Sequence, residues 1–407
     1  MNMKNFIVTN LVLLSASLYT TCVAQKSEIS NKNLTTIISK NFSDADAQYK
    51  IMMKELPKGR FPKTFEHDSL ETSGPGWWCS GFYPGSLFYI YEHTKDTTLY
   101  NEDLRKLSEL EQEQYNKTTH DLGFMMYCSF GNAYKIDSNK QFKNILINSA
   151  KSLSSRFNPK VGCIKSWDSK PTDFLVIIDN MMNLELLFWA TRTTGDSSFY
   201  KIAVTHANTT MRNHFRPDYS SYHVVNYNPE TGAVQQKRTA QGAADSSAWA
   251  RGQAWGLYGF TVMYRETRDK KYLDEANHIA DFILNNPSLP ADKIPYWDFD
   301  APNIPNALRD ASAASVIASA LLELSEYNNE MRAQKYIDVA KTIMLNLSTP
   351  KYKAAIGTNG GFFLKHSVGN MPEHTEVDVP LTYADYYFFE AMNRYEKLFG
   401  NKKKGLK

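Results

Sequence analysis

Apolar residues recur at three- and four-residue steps along most of the chain after residue 40. This period predicts helices over 43–55, 84–94, 99–117, 121–136, 140–156, 180–194, 198–213, 247–266, 270–285, 310–327, 332–347 and 382–398. Strand signals are sparse. The best is YHVVNY (222–227), which runs into a Pro-Glu-Thr-Gly turn and predicts a short hairpin arm. A weak repeat ties the helices together: YEHTKDTTLY (91–100), ATRTTGDSSFY (190–200) and YRETRDKKYL (264–273) each close one helix near an aromatic, turn on an Asp and open the next. YKIDSNKQF (134–142) and LSEYNNEMRAQKY (324–336) are looser copies. Such repeated helix pairs build either an open solenoid or a closed ring of hairpins. The copies lie about forty to about seventy residues apart, and uneven spacing favours the ring, because a solenoid stacks uniform units.

The long segments between these pairs add a second level of information. Residues 66–83, 157–178, 214–246, 286–309 and 348–381 are rich in Gly, Pro, Ser, Asp and aromatics, and they contain Trp77, Trp78, Trp167 and Trp297. Long structured loops in a compact domain are usually functional. In a ring they would gather at one end and build a cleft there.

Composition removes several classes of function. The chain has 407 residues, 42% hydrophobic and 13% aromatic, enough for a large core. Its 46 basic and 43 acidic residues leave +3, with no basic cluster before the terminal KKKGLK, which argues against a nucleic-acid partner. At the N-terminus, Lys4 precedes an apolar run from Phe6 to Leu18, too short to span a bilayer comfortably, and small residues follow at Cys22 and Ala24. We expect a signal peptide over 1–24, cleaved after Ala24, and a single domain over 25–407 exported to the periplasm. A lipoprotein acylated at Cys22 and a secreted protein are the alternatives. Cleavage would leave Cys79, Cys128 and Cys163, an odd number without a CxxC, and the nine histidines never fall at ligand spacing. Neither a disulfide framework nor a metal site is expected, and no cofactor.

Two acids stand out by context. Asp179 follows FLVII (174–178) and precedes NMMNL (180–184), so its carboxylate starts a helix in apolar surroundings. Desolvation there would raise its pKa and suit a proton donor, although a helix N-cap is the common role at such a position. Asp121, beside His120 in TTHDLGF (118–124), carries the same two readings. On successive hairpins of a ring the two would converge, and paired carboxylates in an aromatic-lined cleft are the usual equipment for glycoside chemistry. Sugar rings present C–H faces to Trp and Tyr, while their hydroxyls and carboxylates need Gln, His and Arg. The segment TAQGAADSSAWARGQAW (239–255) supplies such groups: Trp249, Arg251 and Trp255 follow at short spacing, Arg251 has no obvious partner nearby, and Asp245 reads as a helix-start cap.

The stretches WCSGFYPG (78–85), HDLGF (120–124), IDNMMNL (178–184), QG (241–242) with WARGQAW (249–255), and YADYYFFEA (383–391) together resemble the unsaturated glucuronyl hydrolases of glycoside hydrolase family 88. The resemblance runs from about residue 70 to about residue 398, with Cys79 where the pattern more often has Thr. It implies an all-α (α/α)6 barrel, six helical hairpins in a ring. It also implies release of a 4,5-unsaturated uronic acid from the non-reducing end of oligosaccharides made by polysaccharide lyases, through hydration of the C4=C5 bond. Asp179 is then the general acid and base, with Asp121 assisting. Trp78, His120, Trp167, His223, Gln241, Trp249, Arg251 and Trp255 are the implied substrate contacts. The sibling unsaturated rhamnogalacturonyl hydrolases are an alternative, although they are expected to carry Arg-Gly-Asn-Gly-Trp in place of Arg-Gly-Gln-Ala-Trp. A non-catalytic glycan-binding protein of the cell envelope is the other.

Overall fold

The computed structural model describes residues 33–400. The expected signal peptide and Cys22 lie outside these residues. Among them, helix α1 spans 33–55 and α2 Phe82–Thr94, followed by α3 Thr97–Leu110. Helix α4 begins as a π-helix over Gly123–Gly131 and continues through Asn132–Ile136; α5 is Lys140–Ser154. A 3₁₀ segment, Ile178–Asn183, leads into α6, Leu184–Thr194, and α7 is Ser197–Asn213. The remaining helices are α8 Ala250–Thr267, α9 Lys270–Asn285, α10 Ala311–Ser325, α11 Glu330–Leu347 and α12 Thr382–Phe399.

The even-numbered helices form an inner ring: α2 packs on α4, α4 on α6, α8 on α10, α10 on α12, and α12 returns to α2. The segment leading into α6 packs on α8 and completes the circle. Every residue of α10 is buried, and its small Ala and Ser side chains let α8 and α12 approach from both sides. Outer helices instead bury one stripe, as in α1, where Leu34, Ile38, Phe42, Ala45, Tyr49 and Met52 face inward at helical spacing. That stripe begins about ten residues before the predicted start at 43, because NLTTIISKN reads as polar until the isolated Leu34 and Ile38 are seen on one face. The ring closes through this helix: Tyr49 Oη donates to Asp385 of α12, and its ring stacks on Tyr83 of α2. The closed ring, not the open solenoid, is therefore the architecture.

The repeat seen in the sequence is the tight turn of each hairpin. The inner helices α2, α6 and α8 end at the left-handed residues Lys95, Gly195 and Arg268. The side chains of Asp96, Asp196 and Asp269 then accept from the backbone N–H groups of Thr98, Ser198 and Lys271 and start the outer helices. In the looser copies Asn139 and Asn329 do the same. All tight turns thus lie at one end of the barrel, and the long connections lie at the other.

Short strands stiffen those connections. Strands β1 (Phe61–Glu66) and β2 (Ser69–Ser73) pair as a hairpin, and β3 (Phe157–Asn158) pairs with β4 (Cys163–Ile164). The predicted strand at 222–227 is β6 (Val224–Tyr227), the centre of a three-stranded antiparallel sheet with β5 (Phe174–Ile177) and β7 (Val234–Arg238). Strands β8 (Ser367–Asn370) and β9 (Thr375–Val379) form a last hairpin before α12. The partners of β6 escape the sequence pattern because β5 is a continuous apolar run and β7 is polar after Val234, so neither alternates.

Candidate active site

The long connections enclose a cleft of about 500 Å³ at the mouth of the ring. Lys63, Trp77 and Trp78 line it from the α1–α2 connection, Thr118 to Asp121 from α3–α4, and Trp167 and Asp179 from α5–α6. Gln241 comes from α7–α8, Arg251 from α8, Tyr383 from α12, and Gly369, Asn370, Thr375 and Glu376 from the β8–β9 hairpin.

Local structure brings the two acids together. Gly123, two residues after Asp121, abuts Asn183, four residues after Asp179, so closely that a Cβ on it would lie 2.4 Å from the Asn183 Cα. The Phe124 N–H donates to Asn183 Oδ1 at 2.9 Å across the same contact. From the other side, Gly259 of α8 presses on Met181, where an added Cβ would stand 2.5 Å from the Met181 Cβ. The 3₁₀ segment bearing Asp179 is clamped between two helices at their glycines.

Neither carboxylate caps a helix. The residue before the 3₁₀ segment is Ile177, which makes no side-chain cap, and Asp179 sits inside the first turn with Oδ2 buried and without a hydrogen-bond partner. Burial raises its pKa from 3.8 to about 7; Arg251 and its own backbone N–H pull it down, Asp121 adds to the rise, and the indole N–H of Trp255 lowers it slightly. Asp121 accepts from Thr119 Oγ1 at 3.0 Å and lies 3.2 Å from His120 Nε2. His120 Nδ1 faces the Ser166 carbonyl at 3.0 Å, so that nitrogen carries a proton. The Nε2 contact with Asp121 is then attractive only when a second proton lies between the two groups. Burial lowers the His120 pKa while Asp121 raises it.

The β5–β6 register fixes a second histidine. Ile177 pairs with Val224, and the Ile178 N–H donates to the His223 carbonyl, which sets His223 Nε2 3.7 Å from Asp179 Oδ2. The backbone N–H groups of Ala240 and Gln241 both point at His223 Nδ1, leaving its proton on Nε2, toward the acid. Burial first, and Arg251 second, hold the His223 pKa well below its usual value, so the ring is neutral.

Of the sequence-derived contacts, Trp78, His120, Trp167, Gln241 and Arg251 line the cleft with both acids. His223, Trp249 and Trp255 are buried behind that wall. Trp249 lies tilted against the His223 ring and beneath the Arg251 guanidinium, each at 4.5 Å, and Trp255 packs on Phe124 and Tyr387. Two expectations are corrected. Arg251 does have partners: Nη1 donates to Asp310 Oδ2 at 3.2 Å and to the Val368 carbonyl at 2.5 Å, and Nη2 donates to the Gly369 carbonyl at 2.6 Å. They were invisible because they lie 59 to 118 residues away in the chain. Asp245 caps no helix; it accepts from the Thr239 N–H within the loop, and α8 starts only at Ala250. Sequence reasoning also missed Lys63 and Glu376, which pair at 3.3 Å on the rim, and placed Trp77 in a cleft-forming loop without counting it among the contacts, although it lies exposed beneath Lys63. The Trp77–Trp78 doublet was the one signal in the chain for that wall.

A ring of helical hairpins holding two carboxylates in an aromatic-lined cleft defines a carbohydrate-active hydrolase. Residues 45–398 match the model of Glycosyl Hydrolase Family 88, and the chain belongs to that family. It is 41% identical over 403 residues to an unsaturated glucuronyl hydrolase of Formosa agariphila, covering 97% of this chain and 99% of that one. The crystal structure of an unsaturated glucuronyl hydrolase specific for heparin matches at a TM-score of 0.87 with 48% identity, over 89% of this chain and 98% of that one. The unsaturated glucuronyl hydrolase of Bacillus sp. GL1 matches at 0.83 with 29% identity, over 88% and 97%. The rhamnogalacturonyl and non-catalytic alternatives are not favoured by these relatives.

Proposed function

We propose that the protein removes a 4,5-unsaturated uronic acid from the non-reducing end of oligosaccharides released by polysaccharide lyases. The observation that carries this reading is Asp179, a buried acid lining the cleft with Asp121, whose pKa, raised by burial to about 7, keeps about half of it protonated at pH 7. Its proton goes to C4 of the enol ether, and positive charge develops over C5 and the ring oxygen. Asp121 stabilises that charge and orients the sugar. Water then adds at C5 as the Asp179 carboxylate takes one of its protons. The resulting hemiketal opens by breaking the bond from C5 to the ring oxygen, and the hemiacetal so formed at C1 expels the aglycone.

The other residues take supporting roles in this reading. Arg251 has used Nη1 twice and Nη2 once, which leaves Nε–H and the second Nη2–H, a side-by-side pair suited to the uronate carboxylate. Trp78 and Trp167 offer apolar faces to the ring, and Gln241 and His120 offer hydrogen bonds to its hydroxyls. His223 aims its proton at Asp179, while Trp249 and Trp255 hold His223, Arg251 and Asp179 from behind.

The test is incubation with unsaturated disaccharides from heparin, chondroitin, hyaluronan and ulvan lyases, followed by the near-ultraviolet absorbance of the conjugated double bond. The heparin product comes first, because the 48%-identical enzyme is specific for heparin. Loss of absorbance is expected with at least one product; its persistence with all of them refutes the reading. We also propose export to the periplasm with cleavage after Ala24, on the strength of Lys4 and the apolar run 6–18. Intact-mass measurement of the cell-derived protein tests this: a mature chain starting at Gln25 supports it, and an acylated Cys22 or an uncleaved chain refutes it.

A further inference from the structure

Arg251 is surrounded by acids with different tasks. Asp179 and Glu376 face the cleft with it, whereas Asp310 is fully buried on the far side of the guanidinium. Asp310 is also the N-cap of α10: its Oδ1 accepts from the Ser312 N–H at 2.9 Å, Ser312 Oγ at 2.6 Å and the Ala313 N–H at 3.3 Å. Three donors thus converge on one oxygen of this carboxylate and the Arg251 guanidinium on the other. Arg251 thus ties α8 to the start of α10 and, through the Val368 and Gly369 carbonyls, to the β8–β9 hairpin.

We propose that Asp310 is a positioning residue for the hydration reaction: by pairing with Arg251 from behind the cleft, it offsets the guanidinium charge and fixes which donors Arg251 presents to substrate. The inference rests on the proposed function and assigns a role to a residue that does not touch the sugar. Its electrostatic consequence falls on Asp179. The groups facing that acid are Arg251 and the Trp255 N–H from α8, Asp121 with His120 at the head of α4, and neutral His223 just before β6. Arg251 is the lone full positive charge among them unless the His120–Asp121 pair holds a second proton, and Arg251 lowers the pKa of Asp179. Without Asp310, more of its field reaches Asp179, or the guanidinium swings toward it. Both changes favour the carboxylate and remove the proton the reaction needs.

The experiment compares Asp310→Asn, Asp310→Ser and Ser312→Ala in the full-length protein. Asn and Ser both serve as N-caps, so α10 is expected to form in each. Ser312→Ala weakens the cap and leaves the Asp310 charge in place. In Asp310→Asn and Asp310→Ser the alkaline limb of kcat/KM against pH should move down by about one pH unit, so that activity above the limb falls about tenfold. Ser312→Ala should melt lower with its limb unmoved. Unmoved limbs in both folded Asp310 variants, or an equal shift in Ser312→Ala, overturn the inference while leaving the hydrolase reading intact. Failure of the unsubstituted protein to turn over any unsaturated disaccharide overturns both.

Discussion

Replacing Gly123 by alanine attacks the contact that brings the two carboxylates together. The new Cβ would stand 2.4 Å from the Asn183 Cα and 2.7 Å from its Oδ1, whereas ordinary contact begins at 3.4 Å. The gap must therefore widen by about 1.0 Å, the difference between 3.4 and 2.4 Å. The obstructing atom is backbone, and the segment carrying it is already pressed against Gly259 through Met181, so it has no room to retreat. Overpacking of this kind costs about 1–3 kcal/mol. Widening also breaks the 2.9 Å bond from the Phe124 N–H to Asn183 Oδ1, worth about 1 kcal/mol. The total expected destabilisation is about 2–4 kcal/mol. The same strain moves Asp121 and Asp179 apart, and a misplacement of about 1 Å costs on the order of a hundredfold in rate. Denaturant unfolding reads the first effect, and the initial rate of absorbance loss on an unsaturated disaccharide reads the second. A Gly123→Ala variant with an unchanged midpoint and full kcat/KM would refute this account of how the acids are held.

Asp179→Asn should abolish turnover while ligand affinity, measured by calorimetry on the intact disaccharide, changes little; residual turnover near the original rate would remove Asp179 from its role. In the unsubstituted protein kcat/KM should fall about tenfold per pH unit above pH 7 as Asp179 loses its proton, and a flat profile to pH 9 would contradict that assignment. Because the folded-state pKa is raised from 3.8 to about 7, the stability linked to this proton is fully present below pH 3.8 and is lost as pH rises to about 7. Asp179→Asn should consequently melt higher than the unsubstituted protein at pH 8, and that advantage should shrink at pH 4. Asp103, buried in α3 with neither carboxyl oxygen bonded, is pushed well above the usual carboxylate range, by burial first and by Glu102 second. Asp103→Leu should raise stability by about 1–3 kcal/mol in denaturant unfolding, and a lowered midpoint would contradict the cost assigned to that acid.

The parts of the fold legible in the sequence are those set by local chemistry. The helices from α2 to α12 fall close to their predicted spans because each carries a continuous apolar period, and the hairpin turns could be read from Asp96, Asp196 and Asp269 because capping is a short-range bond. The early start of α1 was missed where the apolar stripe is diluted by polar residues. The β1–β2 and β8–β9 hairpins were missed because strands this short depend on their partner for stability.

Within the cleft, Asp179 and Asp121 were visible as acids in apolar surroundings, and motif resemblance supplied the names of their neighbours. Their division into lining and supporting residues was not visible. Trp78 and Trp167 face the cleft, but Trp249 and Trp255 are walled off, although all four are tryptophans in or beside the same long connections. Helical spacing says which residues share a face and nothing about which neighbour covers that face.

By itself, then, the sequence determined periodicity, caps, the unequal loops of a ring and the presence of two isolated acids, all properties carried within a few residues of chain. Only the tertiary structure decided that Gly123 meets Asn183, that His223 reaches Asp179 through the register of β5 and β6, and that Arg251 answers to Asp310. These contacts join residues about 40 to 60 positions apart, and they arise when six hairpins close on one another. Charge and desolvation act through space, so the chemistry of Asp179 is set by what the closed ring brings around it.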